Sequence, residues 1–241
     1  MKPRLRLQSH VIASSSGEYS RNVWYQPGPD GESHPLCVFL DGEHYLRDMD
    51  ALPLINALIA SGDVPAMSLL FVSHVSSDPT NADYNCRHVD YTCNVRYSKF
   101  IADDVVKWAK RRNANIQNKD NMICGVSLSG LASAYITFQY PEIFSSALSQ
   151  SGSFWWLAGK NVVWPPTKAK FWLSVGDQET ASNVIHARGL RQEESQIAGV
   201  EQAARKFTSL GGTVNYAKYS GGHAPTAWKA DLPAALKWLA G

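Results

Sequence analysis

Apolar residues fall along this chain in two alternating rhythms. Short apolar runs at Leu36–Leu40, 67–75, 122–124, Phe144–Gln150, 170–175 and Thr213–Tyr219 predict strands. Those without polar alternation are expected to be covered on both faces. Between them, 50–60, 97–112, a run from Leu128, 191–210 and 228–239 carry apolar residues at helical spacing, which predicts amphipathic helices. Two alternating segments come first, 5–13 and 19–25, and the second ends at the loop signal Pro27-Gly28-Pro29-Asp30-Gly31. They predict an antiparallel hairpin. The whole chain, 1–241, is therefore expected to be one three-layer α/β/α sandwich, mostly parallel, with an N-terminal antiparallel hairpin. Ligands of such sheets bind beyond the carboxyl ends of the strands.

The 122–124 run leads into Gly125-Val126-Ser127-Leu128-Ser129-Gly130 and then a helical stretch. Strand, sharp turn and helix with a serine at the apex is the setting of a nucleophile elbow. An ordinary strand-to-helix turn with a capping serine would look the same locally. Ser129 also stands where the elbow pattern has a second glycine. The argument for chemistry therefore rests on what ends the other strands.

A serine hydroxyl becomes a nucleophile when a base removes its proton, and an acid residue usually orients that base. After Ser127, the loop Gly176-Asp177-Gln178-Glu179 closes a later strand, and Gly221-Gly222-His223 follows the last one. The order serine, acid, histidine is that of the elbow hydrolases. Ser127 is the candidate nucleophile, His223 the candidate base and Glu179 the candidate acid, with Asp177 as the alternative. A Ser–His pair with a weak orienter also fits. Acyl transfer needs donors for a developing oxyanion. The backbone N–H of Leu128 is one candidate. The other comes from the loop after Leu36–Leu40, where Glu43 is favoured over Gly42.

Composition narrows the setting. With 241 residues, 44% of them hydrophobic, a sizeable core is available. A net charge of +2 gives no nucleic-acid footprint. No apolar run is long enough to span a membrane, and no signal peptide is visible. Cys37 and Cys124 sit in apolar runs, while Cys86 and Cys93 lie in a polar loop where they could pair or stay free. No zinc-type spacing is present. A reduced, cytoplasmic compartment is the expectation.

Several segments together resemble the enterochelin (enterobactin) esterase family, within the esterase D-type α/β-hydrolases. Leu40-Asp41-Gly42-Glu43 is similar to that family's oxyanion loop. Arg87-His88-Val89-Asp90-Tyr91-Thr92-Cys93-Asn94 is similar to its R-x-x-E-L-x-C-N segment, with Asp90 in place of Glu. Leu148-Ser149-Gln150-Ser151-Gly152-Ser153-Phe154-Trp155-Trp156 matches a particular string of the family. Its acid loop has the carboxylate three places after the glycine, which favours Glu179, and Ser220-Gly221-Gly222-His223 fits its histidine loop. Ala224 follows where many relatives have Asp. The resemblance covers 36–240; larger members carry an additional N-terminal all-β domain.

What the resemblance implies is a serine esterase with an α/β-hydrolase fold. It would cleave ester or lactone bonds of a catecholate siderophore, an enterobactin-like trilactone often presented as its ferric complex. No cofactor or catalytic metal is needed, and iron would arrive with the substrate. The expected partner is that small-molecule ester, not nucleic acid or membrane. Arg87 and Arg96 are candidates for charge, although Arg87 could equally pair with Asp90. Trp155 and Trp156 are candidates for an aromatic wall, or they pack beneath it. His44 is a candidate pocket residue, and the loop 76–94 a candidate substrate cover. The alternatives are a general carboxylesterase of the feruloyl or S-formylglutathione type and a non-catalytic binder of the same fold.

Overall fold

The computed structural model describes residues 7–78, 86–186 and 189–241. In chain order the elements are β1 (Gln8–Ala13), β2 (Ser20–Gln26), β3 (Leu36–Leu40), a π-helical turn (His44–Asp48), α1 (Leu52–Ser61), β4 (Ser68–Ser76), α2 (Arg87–Asp90), α3 (Val95–Lys99), a second π-helical turn (Phe100–Val105) and α4 (Val106–Arg112). They continue with β5 (Asn121–Val126), α5 (Leu128–Gln139), β6 (Phe144–Gln150), a 3₁₀ turn (Phe154–Leu157), β7 (Lys170–Gly176), β8 (Val184–Ile185), β9 (Arg191–Gln192), α6 (Gln196–Ser209), β10 (Thr213–Tyr219) and α7 (Pro225–Ala240).

One eight-stranded sheet runs β1-β2-β4-β3-β5-β6-β7-β10. The pairs β1–β2 and β2–β4 are antiparallel, and the rest are parallel. The unbroken apolar runs have a simple cause. Along β3, Leu36, Val38 and Leu40 pack with α3–α6, while Cys37 and Phe39 pack with α1 and α7. Both faces are covered, so neither strand face can be polar.

Most predicted elements are present with shifted ends. The helix expected from 97 starts at Val95, because the Asn94 side chain accepts the N–H groups of Arg96 and Tyr97. The helix expected over 191–210 begins only at Gln196, where Ser195 caps it by accepting the Ala198 N–H. The preceding Arg191–Gln192 pairs instead with Val184–Ile185 as a small antiparallel ribbon. The last helix begins at Pro225, where a missing N–H costs nothing.

Three adjacent strands end alike. The residues just past β3, β5 and β6 are Asp41 (φ 55°), Ser127 (φ 56°) and Ser151 (φ 47°), none of them glycine. Each turns the chain sharply at the carboxyl edge. At the middle one, β5 and α5 approach so closely that a Cβ on Gly125 would overlap the Ser129 carbonyl and stand 2.7 Å from Gly130 N. Ser129, the departure from the elbow pattern, is absorbed here. Its hydroxyl accepts the Val126 N–H and donates to the Val126 carbonyl, both at 2.8 Å.

Gly125→Ala should therefore destabilise the fold by about 3 kcal/mol or more, because backbone rather than a flexible side chain must yield. Denaturant unfolding measures this, and a loss within experimental error would contradict so close a strand–helix contact.

Candidate active site

Ser127 occupies the turn between β5 and α5 with φ 56° and ψ −123°. Neighbouring backbone holds it there. Its N–H donates to Gln150 O at 2.9 Å, and its carbonyl accepts Gly130 N and Ser153 N, each at 3.0 Å. Among the described residues, the side-chain partner of its hydroxyl is Ser153, Oγ to Oγ 3.4 Å. Leu128 is the first residue of α5, so its N–H has no intrahelical acceptor and lies at the positive end of the helix dipole.

The loops after β7 and β10 are stapled to each other. Asp177 N donates to Tyr219 O (2.9 Å) and Gln178 N to Gly221 O (3.0 Å). The Asp177 carboxylate accepts the Gly221 N–H at 2.9 Å. Asp177 is exposed and shapes the turn, whereas Glu179 is buried. Glu179 Oε2 lies 2.6 Å from His223 Nδ1. A carboxylate there makes Nδ1 the protonated nitrogen and leaves Nε2 as the basic one. Glu179 Oε1 accepts from Ser151 Oγ (2.6 Å) and Gly176 N (2.8 Å). Burial alone would raise the Glu179 pKa, but the bonds from His223 and Ser151 outweigh it and hold the carboxyl below its ordinary value.

Ser127, Leu128, Ser153, Glu179 and His223 line one cavity of about 400 Å³. Its far walls include Arg87, His88, Trp155, His186 and Gln192. Trp155 and His186 stack with centroids 4.9 Å apart at 12°, and Gln192 fixes the His186 ring with a 2.8 Å bond.

The outer candidates divide. Arg87 and Trp155 reach the cavity. Arg87 does not pair with Asp90; its Nε and Nη2 grip both Asp41 oxygens at 2.8 and 2.7 Å. Asp90 instead meets the buried Arg21 at 2.6 Å. Trp156, Arg96 and His44 are not among the cavity walls. Trp156 borders a separate groove with Tyr135 and lies beneath Lys160 Nζ. Arg96 projects into solvent and pairs with Glu18 at 3.3 Å. His44 bonds Asp48 at 2.5 Å and stacks on His74. Of the loop 76–94, residues 79–85 lie outside the described residues, and the described Arg87 and His88 border the cavity.

The Glu43 side chain is turned to other work than the cavity. It accepts from Ser73 Oγ and stands 3.2 Å from His74 Nδ1, which also lies 3.2 Å from Asp41. Its backbone opens the turn His44–Asp48. Gly42 packs so tightly on β4 that a Cβ would stand 2.9 Å from Phe71 Cβ. Burial would lower the His74 pKa, yet the carboxylates of Asp41 and Glu43, each 3.2 Å from Nδ1, raise it to about 9. Arg87 and His74 likewise hold Asp41 far below the carboxylate range despite its complete burial. Sequence reasoning passed over Ser151, Tyr219 and Trp228, which surround Glu179 and His223. Ser151 lies inside the 148–156 segment, whose three serines are all buried, and nothing in the sequence marks it as the one that meets Glu179.

Cys37, Cys93 and Cys124 form no disulfide among the described residues, although Cys37 and Cys124 lie 3.6 Å apart, Sγ to Sγ. Among the described residues no helix is long and apolar enough to cross a membrane, and no cluster of three His, Cys, Asp or Glu is arranged to hold a metal.

A family model described as "Putative esterase" matches residues 14–239. The chain is similar to the iron(III) enterobactin esterase of Dickeya dadantii, 26% identical over 232 residues, covering 91% of this chain and 51% of that protein. Against the iron(III) enterobactin esterase of Escherichia coli K12 the figures are 23% over 240 residues, 95% and 56%. A crystal structure of the Shigella flexneri enterobactin esterase, in the presence of enterobactin, superposes with TM-score 0.80 at 20% identity, over 99% of this chain and 60% of that one. The chain thus spans about half the length of the relatives it matches.

The ion cluster beneath the β3 turn predicts a pH dependence. The folded pKa of His74, about 9, exceeds its ordinary value of 6.5, so its stabilisation is complete below pH 6.5 and is lost as pH rises through 9. The stability advantage of wild type over His74→Gln should shrink across that window by on the order of 2 kcal/mol. Denaturant melts at pH 6 and pH 9.5 measure it, and a constant difference would show that His74 does not gain its proton on folding.

Proposed function

We propose, for a chain that belongs to the "Putative esterase" family, hydrolysis of carboxylic esters through an acyl-enzyme on Ser127. Ser127 Oγ attacks the ester carbonyl carbon while His223 Nε2 takes its proton. The tetrahedral intermediate carries its charge on the former carbonyl oxygen, facing the Leu128 N–H and a second N–H from the β3 turn, Glu43 before Gly42. Collapse breaks the bond to the leaving alcohol, which receives the proton from His223. Water, deprotonated by His223, then attacks the acyl-enzyme and releases the acid. Glu179 keeps Nδ1–H donated away from the cavity and stabilises the imidazolium that forms twice in the cycle. The observation that carries this reading is the 2.6 Å Glu179–His223 bond beside a cavity that Ser127 also lines.

The substrate class we infer is a catecholate trilactone of the enterobactin type, with any iron entering as part of the substrate. Relatives named as iron(III) enterobactin esterases support it, and the Trp155–His186 stack offers a planar wall for an aroyl arm. A cavity of about 400 Å³ is of a size to take one such arm. That size gives the second reading, a feruloyl-type carboxylesterase, its support.

Ser127→Ala should lower kcat by about 10⁴-fold or more while leaving stability nearly unchanged. Residual activity of a few per cent would place the nucleophile elsewhere. Glu179→Gln should lose more rate than Asp177→Asn, and the reverse order would reassign the acid. Comparing kcat/KM for enterobactin with p-nitrophenyl and feruloyl esters decides the substrate. Preference for the simple esters would overturn the siderophore reading and leave the esterase intact.

A further inference from the structure

Ser151 lies just past β6, next to the acid and histidine loops, fully buried and outside the cavity wall. Its hydroxyl has one hydrogen and two lone pairs, and all are committed. Trp228 Nε1 can only donate, and does so to Ser151 Oγ at 2.9 Å. The single Ser151 hydrogen goes to Glu179 Oε1 at 2.6 Å. Tyr219 O–H, at 2.7 Å from Ser151 Oγ, must then be the donor of that pair, and it also reaches Glu179 Oε1 at 3.3 Å. No alternative orientation of the hydroxyl satisfies all three partners.

From this geometry we propose that Ser151 is a positioning residue for the Glu179–His223 pair, with Tyr219 and Trp228 fixing the direction of its hydroxyl. The proposal rests on the esterase reading of that pair. Trp228 links both ends, since its N–H holds Ser151 and its ring meets the His223 ring edge-on, 5.0 Å and 85°. The backbone of Ser151 is in turn clamped, with N donating to Ser174 O at 2.7 Å and its carbonyl accepting from Gln196 Nε2.

A residue at φ 47° would be easier as glycine. A serine kept there in spite of strain is explained by the hydroxyl. The titratable groups that face this network are Glu179 and Asp177 on the β7 loop, His223 and Tyr219 after and on β10, and Asp231 on α7. Asp231 is held by Ser174, Gln150 and Trp172.

Removing the hydroxyl takes a donor from Glu179. Its carboxyl then gains basicity, and this change moves the acid limb of kcat/KM to higher pH.

The test uses Ser151→Gly, which removes the hydroxyl but suits the backbone, assayed on a p-nitrophenyl ester with the full chain. Expected are a fall of about tenfold to a hundredfold in kcat at unchanged KM, an upward shift of the acid limb, and a further loss of less than about twofold when added to Glu179→Gln. Tyr219→Phe should shift the limb the same way with a smaller loss, and it serves alone should Ser151→Gly fail to fold. Wild-type rate and limb in both variants, or an equal loss with and without Glu179, would overturn the proposal. Wild-type turnover that survives Ser127→Ala would instead overturn the esterase reading itself.

Discussion

Left-handed backbone at the ends of β3, β5 and β6 is the constraint from which the site follows. A residue other than glycine in that region costs on the order of 1–3 kcal/mol and persists only where its surroundings over-determine it. At Asp41 the surroundings are the Arg87 fork and the Tyr91 hydroxyl on its N–H. At Ser127 they are the Gln150 carbonyl and the Ser153 N–H. At Ser151 they are Ser174, Gln196, Trp228 and Glu179. Two of the turns are thus held partly by the next strand: β6 supplies the Gln150 carbonyl to the Ser127 turn, with Ser153 beyond it donating its N–H to the Ser127 carbonyl, and β7 supplies the Ser174 carbonyl to Ser151. The bare backbone of Gly125 lets the central helix come close enough for this to happen.

The Glu179–His223 pair arises from a different device. Parallel register sets Tyr219 opposite Gly176, so the loops leaving β7 and β10 start level and bind each other through backbone groups. Glu179 and His223 then meet side by side without any long side chain reaching across. Two ionic groups reach the cavity, one through Arg87, which is tied to the cluster of Asp41, Glu43 and His74, and the other through Glu179 and His223. In both, donors outweigh the burial cost and keep the carboxylates charged. The first fixes the turn that carries Gly42 and Glu43; the second holds a proton on the far nitrogen of the imidazole.

Much of this was legible from residues alone, because it depended on strand ends. Unbroken apolar runs marked strands buried on both faces, and Ser127, Glu179 and His223 each follow one. Parallel strands bring such ends to a common edge whatever the details. What depended on facing was not legible. Arg96 and Trp156 have suitable chemistry but point away from the cavity, and a one-residue difference separates Trp155 from Trp156. Asp90 has Arg87 nearby in sequence, yet its partner is Arg21 from β2, a contact that only the tertiary fold creates. Residues 191–194 have helical composition, but Ser195 offers a better cap and the segment pairs as a ribbon. Ser151 escaped notice because a buried hydroxyl with three partners leaves no mark in composition.

The central claim is that Ser127 is activated by His223 under the control of Glu179. Treatment with a fluorophosphonate, followed by intact mass and peptide mapping, tests it most directly. The account predicts one adduct, on Ser127, formed quickly in wild type and far more slowly when His223 is replaced by Gln. No adduct, an adduct on another residue, or a rate indifferent to His223 would contradict it.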